Sequence, residues 1–98
     1  MAIVQFSVVP LGTGSTSLSS YVARVHQVLE ESGVASRLTP MGTVLEGELD
    51  ELLQVIRRVH ELPFEQGAAR VMTLINIDDR RDQAATAQAK IDSVREKM

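Results

Sequence analysis

The chain contains no cysteine and no tryptophan, and only Phe6, Tyr21 and Phe64 are aromatic among its 98 residues. Without cysteine there is neither a disulfide framework nor a thiolate metal site, which fits a reducing compartment. So few rings argue against a stacking platform for single-stranded nucleic acid, which needs exposed aromatics backed by a basic groove. The net charge of -3 also lacks the basic surplus of a phosphate-tracking surface. Nucleic acid is therefore not an expected partner. No apolar run approaches the ~20 residues that span a bilayer, and Met1 to Val9 has no basic stretch of the kind that opens a signal peptide. A cytoplasmic protein that does not engage membranes is the expectation. Hydrophobic residues at 44% and charged residues at 23% match ordinary globular proteins. A chain of this length buries enough surface for one core, so a single domain over residues 1–98 is expected.

What is present is strong periodicity. Ala2 to Val9 alternates, with Val4, Phe6 and Val8 on one side and Ile3, Gln5, Ser7 and Val9 on the other, which predicts a strand ended by Pro10. Leu11 to Ser17 is a loop rich in Gly, Ser and Thr, with Ser15 and Ser17 as candidate helix caps. Leu18, Val22, Val25 and Leu29 then recur at helical spacing up to Ser32-Gly33, a stop signal. Val34 to Glu48 predicts two short strands around the turn Thr39-Pro40-Met41-Gly42-Thr43. Leu49, Leu52, Leu53, Ile56 and Val59 predict a second helix, broken at Glu61-Leu62-Pro63. Val71 to Ile77 predicts a central strand, with Val71, Thr73, Ile75 and Ile77 facing one way.

The order strand, helix, strand, strand, helix, strand is that of a ferredoxin-like α+β sandwich, in which both helices pack on one sheet face. The other face would carry Ile3, Gln5, Ser7 and Val9 with Met72, Leu74, Asn76 and Asp78, a mixture too apolar to leave in water. A further C-terminal helix follows, with Ala84, Ala87, Ile91, Val94 and Met98 forming a narrow apolar seam. That seam packs either on its own chain or on another subunit.

Few residues point to chemistry. His26 and His60 lie on different predicted helices, neither with a second ligand at i, i+4, so no metal site is expected. Gly12-Thr13-Gly14 lacks the third glycine of a dinucleotide fingerprint, where Ser17 stands instead. Ser7, Ser17 and Ser19 have no elbow-type glycine flank, so nothing indicates a hydrolase. Asp78 to Asp82 (DDRRD) offers Arg80 and Arg81 either as an anion clamp or as partners in local ion pairs. In the hairpin, Glu46 and Val44 face away from Leu45 and Thr43, which sets a carboxylate on the uncovered face with Ser7 and Gln5. A carboxylate among apolar residues either shares a proton with a basic ring nitrogen or stands in solvent at a strand end.

Three strings in order carry a resemblance: Val8-Val9-Pro10-Leu11-Gly12-Thr13-Gly14, then Leu38-Thr39-Pro40-Met41-Gly42-Thr43 with Glu46-Gly47, then Asp78-Asp79-Arg80-Arg81-Asp82. Together they make the chain similar, nearly end to end, to the thiamine-binding family also described as DUF77 or UPF0045. The resemblance implies a ferredoxin-like fold, dimers and commonly tetramers, and a cleft for thiamine or its hydroxymethylpyrimidine half; no cofactor is expected. By position it implies a site drawn from Ser7, Pro10, Thr39, Pro40, Met41, Gly42, Thr43 and Glu46. Where family members often carry an aromatic or larger residue before the Leu-Thr-Pro-Met string, this chain has Ser36-Arg37.

Three functions then stand side by side. The first is non-catalytic binding of a thiamine-type pyrimidine for carriage, storage or sensing, in a homo-oligomer such as a dimer of dimers. The second is an enzyme with Glu46 as general base and Arg80 or Arg81 as charge clamp. The third is a structural or regulatory oligomerisation module. Fold alone does not choose among them.

Overall fold

The computed structural model describes residues 1–12, 19–82 and 86–98, with the main chain alone at residues 19 and 20. Its elements are β1 (Ala2–Pro10), α1 (Ser19–Ser32), β2 (Ala35–Thr39), β3 (Gly42–Gly47), α2 (Leu49–Glu65), β4 (Val71–Asp79) and α3 (Ala87–Glu96). The four strands form one antiparallel sheet in the order β2-β3-β1-β4. This is the ferredoxin-like βαββαβ sandwich with an additional C-terminal helix. Ser15, Ser17, Leu18 and Ala84, given roles in the sequence analysis, lie outside the described residues.

Period-two alternation divides the sheet into two unlike faces. Ala2, Val4 and Phe6 of β1 and Thr43 and Leu45 of β3 turn to one face and are buried. Ile3, Gln5 and Ser7 turn to the other, where Ile3 stands opposite Glu46 and Gln5 opposite Val44. Helices α1 and α2 cover the first face, bringing Tyr21, Val25 and Leu29 and then Leu52, Ile56, Val59 and Leu62 into one apolar cluster with the strands.

The helical stripes differ in detail from those the spacing predicts. On α1 the buried stripe is Tyr21, Val25, Leu29, an unbroken i, i+4 row, and Val22 is left 36% exposed. Val22 is one residue, about 100°, further round the helix than Tyr21, and the large tyrosine ring takes the inward position. The predicted stop holds: Ser32 Oγ donates to the Leu29 carbonyl at 2.6 Å and Gly33 adopts φ 74°, the left-handed conformation that closes a helix.

Helix α2 does not break at Glu61-Leu62-Pro63 but runs through Pro63 to Glu65. A proline in the last turn removes a single N–H from the ladder, and the burial of Leu62 and Pro63 against the core holds that turn in place. The N–H groups of Gln66 and Ala68 then close onto the Pro63 carbonyl at 3.1 and 3.0 Å.

Strand β4 is an edge strand, not a central one; β1 and β3 are interior. At the edge its inward residues overhang the helices, so Ile75 and Ile77 remain 41% and 48% exposed. The contact that α2 makes there is partly polar, with His60 Nδ1 and Thr73 Oγ1 at 2.7 Å and the His60 ring edge-on to Phe64.

Helix α3 begins over the sheet's second face. Thr86 Oγ1 caps it by accepting from the Ala89 N–H at 3.0 Å, Glu46 Oε1 accepts from the Ala87 N–H at 2.7 Å, and Lys90 pairs with Asp78. No α3 side chain is buried, and Ile91 and Val94 stay exposed. The helix is therefore clasped at its first turn while its apolar seam is not consumed by its own chain.

The hairpin turn is held by Thr39, whose Oγ1 donates to the Gly42 carbonyl at 2.8 Å and accepts from the Met41 N–H at 3.3 Å. Gly42 has a steric reason to be glycine, because a Cβ there would lie 2.7 Å from the Phe6 carbonyl oxygen of the neighbouring strand. Gly42→Ala is expected to lower stability by roughly 1–3 kcal/mol, the range for forcing atoms into packed space. A urea midpoint unchanged from wild type would contradict this account of the turn.

Candidate functional site

Below α1 the first sheet face is not completely filled. A cavity of about 170 Å³ remains between α1 and strands β1, β2 and β3. Its floor is Phe6, Val8, Thr43 and Leu38, its roof is Tyr21, Val22, Val25 and His26 from α1, and Val59 of α2 closes one side. The turn residues Thr39, Pro40 and Gly42 form the rim, together with Ser7, whose side chain turns to the other sheet face and which therefore borders the cavity by its main chain. The cause is geometric: β2 is short and its Leu38 is largely exposed, so the hairpin end of the sheet extends beyond what the Tyr21-Val25-Leu29 row can cover.

Two of the residues that line the cavity also carry buried polar atoms. Among the described residues, Tyr21 Oη and His26 Nε2 are both buried without a hydrogen-bond partner. Burial pushes the Tyr21 phenol up to about 12, so it stays a neutral hydroxyl donor throughout the physiological range. A buried hydroxyl with no partner costs about 1–3 kcal/mol. The sequence analysis missed both residues as site residues: Tyr21 was outside the predicted stripe, and His26 was judged only as a metal ligand. Among the described residues no group of three metal-ligating side chains comes together.

The residues expected from sequence separate. Ser7, Thr39, Pro40, Gly42 and Thr43 meet around the cavity, whereas Pro10, Met41 and Glu46 do not line it. Met41 is 82% exposed at the tip of the turn. Glu46 lies on the opposite sheet face, four residues along the strands from the position facing Ser7, with its carboxylate engaged at the start of α3. There it borders a smaller concavity of about 110 Å³ with Ala35, Arg37, Val44 and Ala87. Alternation prevents one pocket from receiving both the Thr43 and Glu46 side chains.

The acidic and basic run after β4 forms local pairs. Arg81 Nη2 binds Asp79 Oδ2 at 2.7 Å, and Arg80 Nε binds Asp82 Oδ1 at 2.6 Å. Neither arginine reaches the cavity. The Arg81 hydrogen bond holds the Asp79 carboxyl below its usual range.

Comparison with known proteins gives a consistent result. The family model described as thiamine-binding protein matches residues 4–95. The chain is 48% identical over 98 residues to the UPF0045 protein YqgV of Bacillus subtilis, covering 96% of this chain and 94% of that protein. Among solved structures, a hypothetical protein of Methanocaldococcus jannaschii superposes with a TM-score of 0.84 at 33% identity, covering 97% of this chain and 96% of the other. A DUF77 domain from Bacillus cereus superposes with a TM-score of 0.80 at 36% identity, covering 92% and 86%.

The Asp79–Arg81 pair has a pH signature. A carboxyl whose folded value is depressed stabilises the fold above its unfolded value, and that contribution is lost as pH falls through the lower folded value. In a carboxyl-carbon NMR titration Asp79 should therefore have a midpoint below that of free aspartate, and Arg81→Ala should move it upward. An unchanged midpoint in the variant would show that Arg81 is not the cause.

Proposed function

The chain belongs to the thiamine-binding protein family, and from that premise we propose that it binds thiamine, or its hydroxymethylpyrimidine half, without transforming it, in the cavity beneath α1. The observation that carries this reading is convergence: of the strings that mark the family, Ser7 beside the first and Thr39, Pro40, Gly42 and Thr43 of the second border one mainly apolar cavity. A concave, mainly apolar site with a few polar groups is what orients a small heterocycle.

The binding reading is favoured over catalysis by Glu46. A general base must reach the proton it takes, and this carboxylate is held by the Ala87 N–H on the sheet face away from the cavity. The arginines of the alternative mechanism are likewise paired with Asp79 and Asp82. A role in carriage, storage or sensing in the cytoplasm follows from the same reading, as does a homo-oligomer built as a dimer of dimers. Assembly is supported by Met72 and Leu74 on the second sheet face and by Ile91 and Val94 on α3, apolar groups that the chain itself leaves exposed.

Isothermal titration with thiamine and with 4-amino-5-hydroxymethyl-2-methylpyrimidine should give saturable binding, and mass spectrometry should recover both unaltered. Val22→Trp, placed at the partly exposed wall of the cavity, should fill it and weaken binding at least tenfold. Heat-free titrations with both compounds would remove the proposal, and a transformed product would move the protein into the enzyme class. Native mass spectrometry should find multiples of the 10.7 kDa chain.

A further inference from the structure

Resting on the assembly part of the reading above and on no ligand, we infer that β4 is the edge by which two copies of this chain join. Each β4 pairs antiparallel with its counterpart about a two-fold axis at Ile75, which merges two four-stranded sheets into one continuous sheet. This edge is a different surface from the second sheet face and from α3.

Main-chain parity shows what the edge offers. Opposite residues of an antiparallel pair alternate between those that exchange both main-chain hydrogen bonds and those that exchange none. The Leu11 N–H donates to the Arg70 carbonyl at 2.9 Å, in continuation of the register that sets Pro10 opposite Val71. Alternation from that bonded pair assigns Met72, Leu74, Asn76 and Asp78 to the ladder with β1. The N–H and C=O groups of Thr73, Ile75 and Ile77 therefore point away from the sheet, and among the described residues none of them has a partner.

Proteins close such edges with a short strand, a basic side chain, a proline or a bulge. The opposite edge of this sheet is closed in that way: β2 has 5 residues, carries Arg37 and runs into Pro40. Strand β4 has 9 residues, an unbroken register with β1, and no lysine, arginine, proline or glycine. It is exposed on both sides, through Ile75 and Ile77 towards the helices and through Met72 and Leu74 away from them.

The strand's own sequence selects a second β4 as the occupant. With Ile75 opposite Ile75, the outward-bonding residues of the two copies coincide along the whole strand, Thr73 meeting Ile77 and Val71 meeting Asp79. Ile77 of the second copy then lies beside Thr73, where His60 and the partly exposed Phe64 end the helix layer, and the apolar layer continues across the joint. Charge favours the antiparallel sense. Arg70 precedes the strand and Asp78 lies at its end with the same parity, so each Arg70 is diagonal to Asp78 of the other copy. A parallel pair would set the acidic ends side by side. A two-fold contact is also closed, so it covers the edge without propagating into a fibre.

Native mass spectrometry and amide exchange by NMR test this on the intact chain. In wild type the outward amides of Thr73, Ile75 and Ile77 should exchange as slowly as those of Leu74 and Asn76, which bond to β1. Ile75→Lys should halve the mass of the assembly and speed exchange at Thr73 and Ile77 at least about a hundredfold, the difference between a paired and an open amide. Ile75→Pro should do the same, because it removes an outward N–H and no bond to β1. Slow exchange retained at Leu74 and Asn76 shows that each variant is folded; if neither folds, the wild-type exchange pattern alone decides.

An oligomeric wild type whose Thr73, Ile75 and Ile77 amides exchange freely would overturn the inference and leave assembly to the second face and α3. So would an assembly mass that survives both substitutions in folded variants. A monomeric wild type would remove the assembly reading along with it, and would leave the edge for an extended segment of a different protein.

Discussion

The alternation of side chains along β1 and β3 is the constraint from which the rest of this structure follows. It sends Val4, Phe6, Thr43 and Leu45 beneath two helices and sends Ile3, Gln5, Val44 and Glu46 to the other side. A one-residue slip of register would exchange the two sets and destroy the core. The core and the cavity therefore share a cause. The face that packs against α1 and α2 is also the face whose hairpin end outreaches the Tyr21-Val25-Leu29 row.

The two sheet faces consequently differ in make-up. The helix-covered face combines a tight apolar cluster with an unfilled space lined in part by Tyr21 and His26. The other face is part polar and part aliphatic, and among the described residues α3 is fastened to it near its start, by Glu46 accepting from the Ala87 N–H and by the Lys90–Asp78 pair. A ligand site on the first face and an assembly surface on the second would not compete for the same residues. This separation also accounts for Glu46, which supports a helix terminus, where a carboxylate complements the unpaired N–H groups and positive end of the helix dipole.

Much of this was legible in the sequence because it is written in local periodicity. The strands show in the alternation at residues 2–9 and 71–77, α2 in the Leu52-Ile56-Val59 row, the helix stop in Ser32-Gly33, and the opposed faces of Glu46 and Thr43 in simple parity. The errors lay where tertiary contacts outweigh local signals. Pro63 looks like a terminator, yet the burial of Leu62 carries the helix past it. Val71 to Ile77 is apolar enough for an interior strand, yet the chain path puts β4 at the edge. Tyr21 was displaced from the predicted stripe by Val22, since spacing alone does not say which of two adjacent side chains faces inward.

The sequence by itself determined the order of elements, the two sheet faces and the family, since each depends on residues close together in the chain or on short strings in fixed order. Only the tertiary structure decided which marked residues share a space. Ser7, Thr39, Pro40, Gly42 and Thr43 converge with Tyr21 and His26, while Pro10, Met41 and Glu46 fall elsewhere. A cavity is a mismatch between a helix surface and a sheet surface. Its location depends on how far α1 reaches over the hairpin, a distance that no single segment encodes.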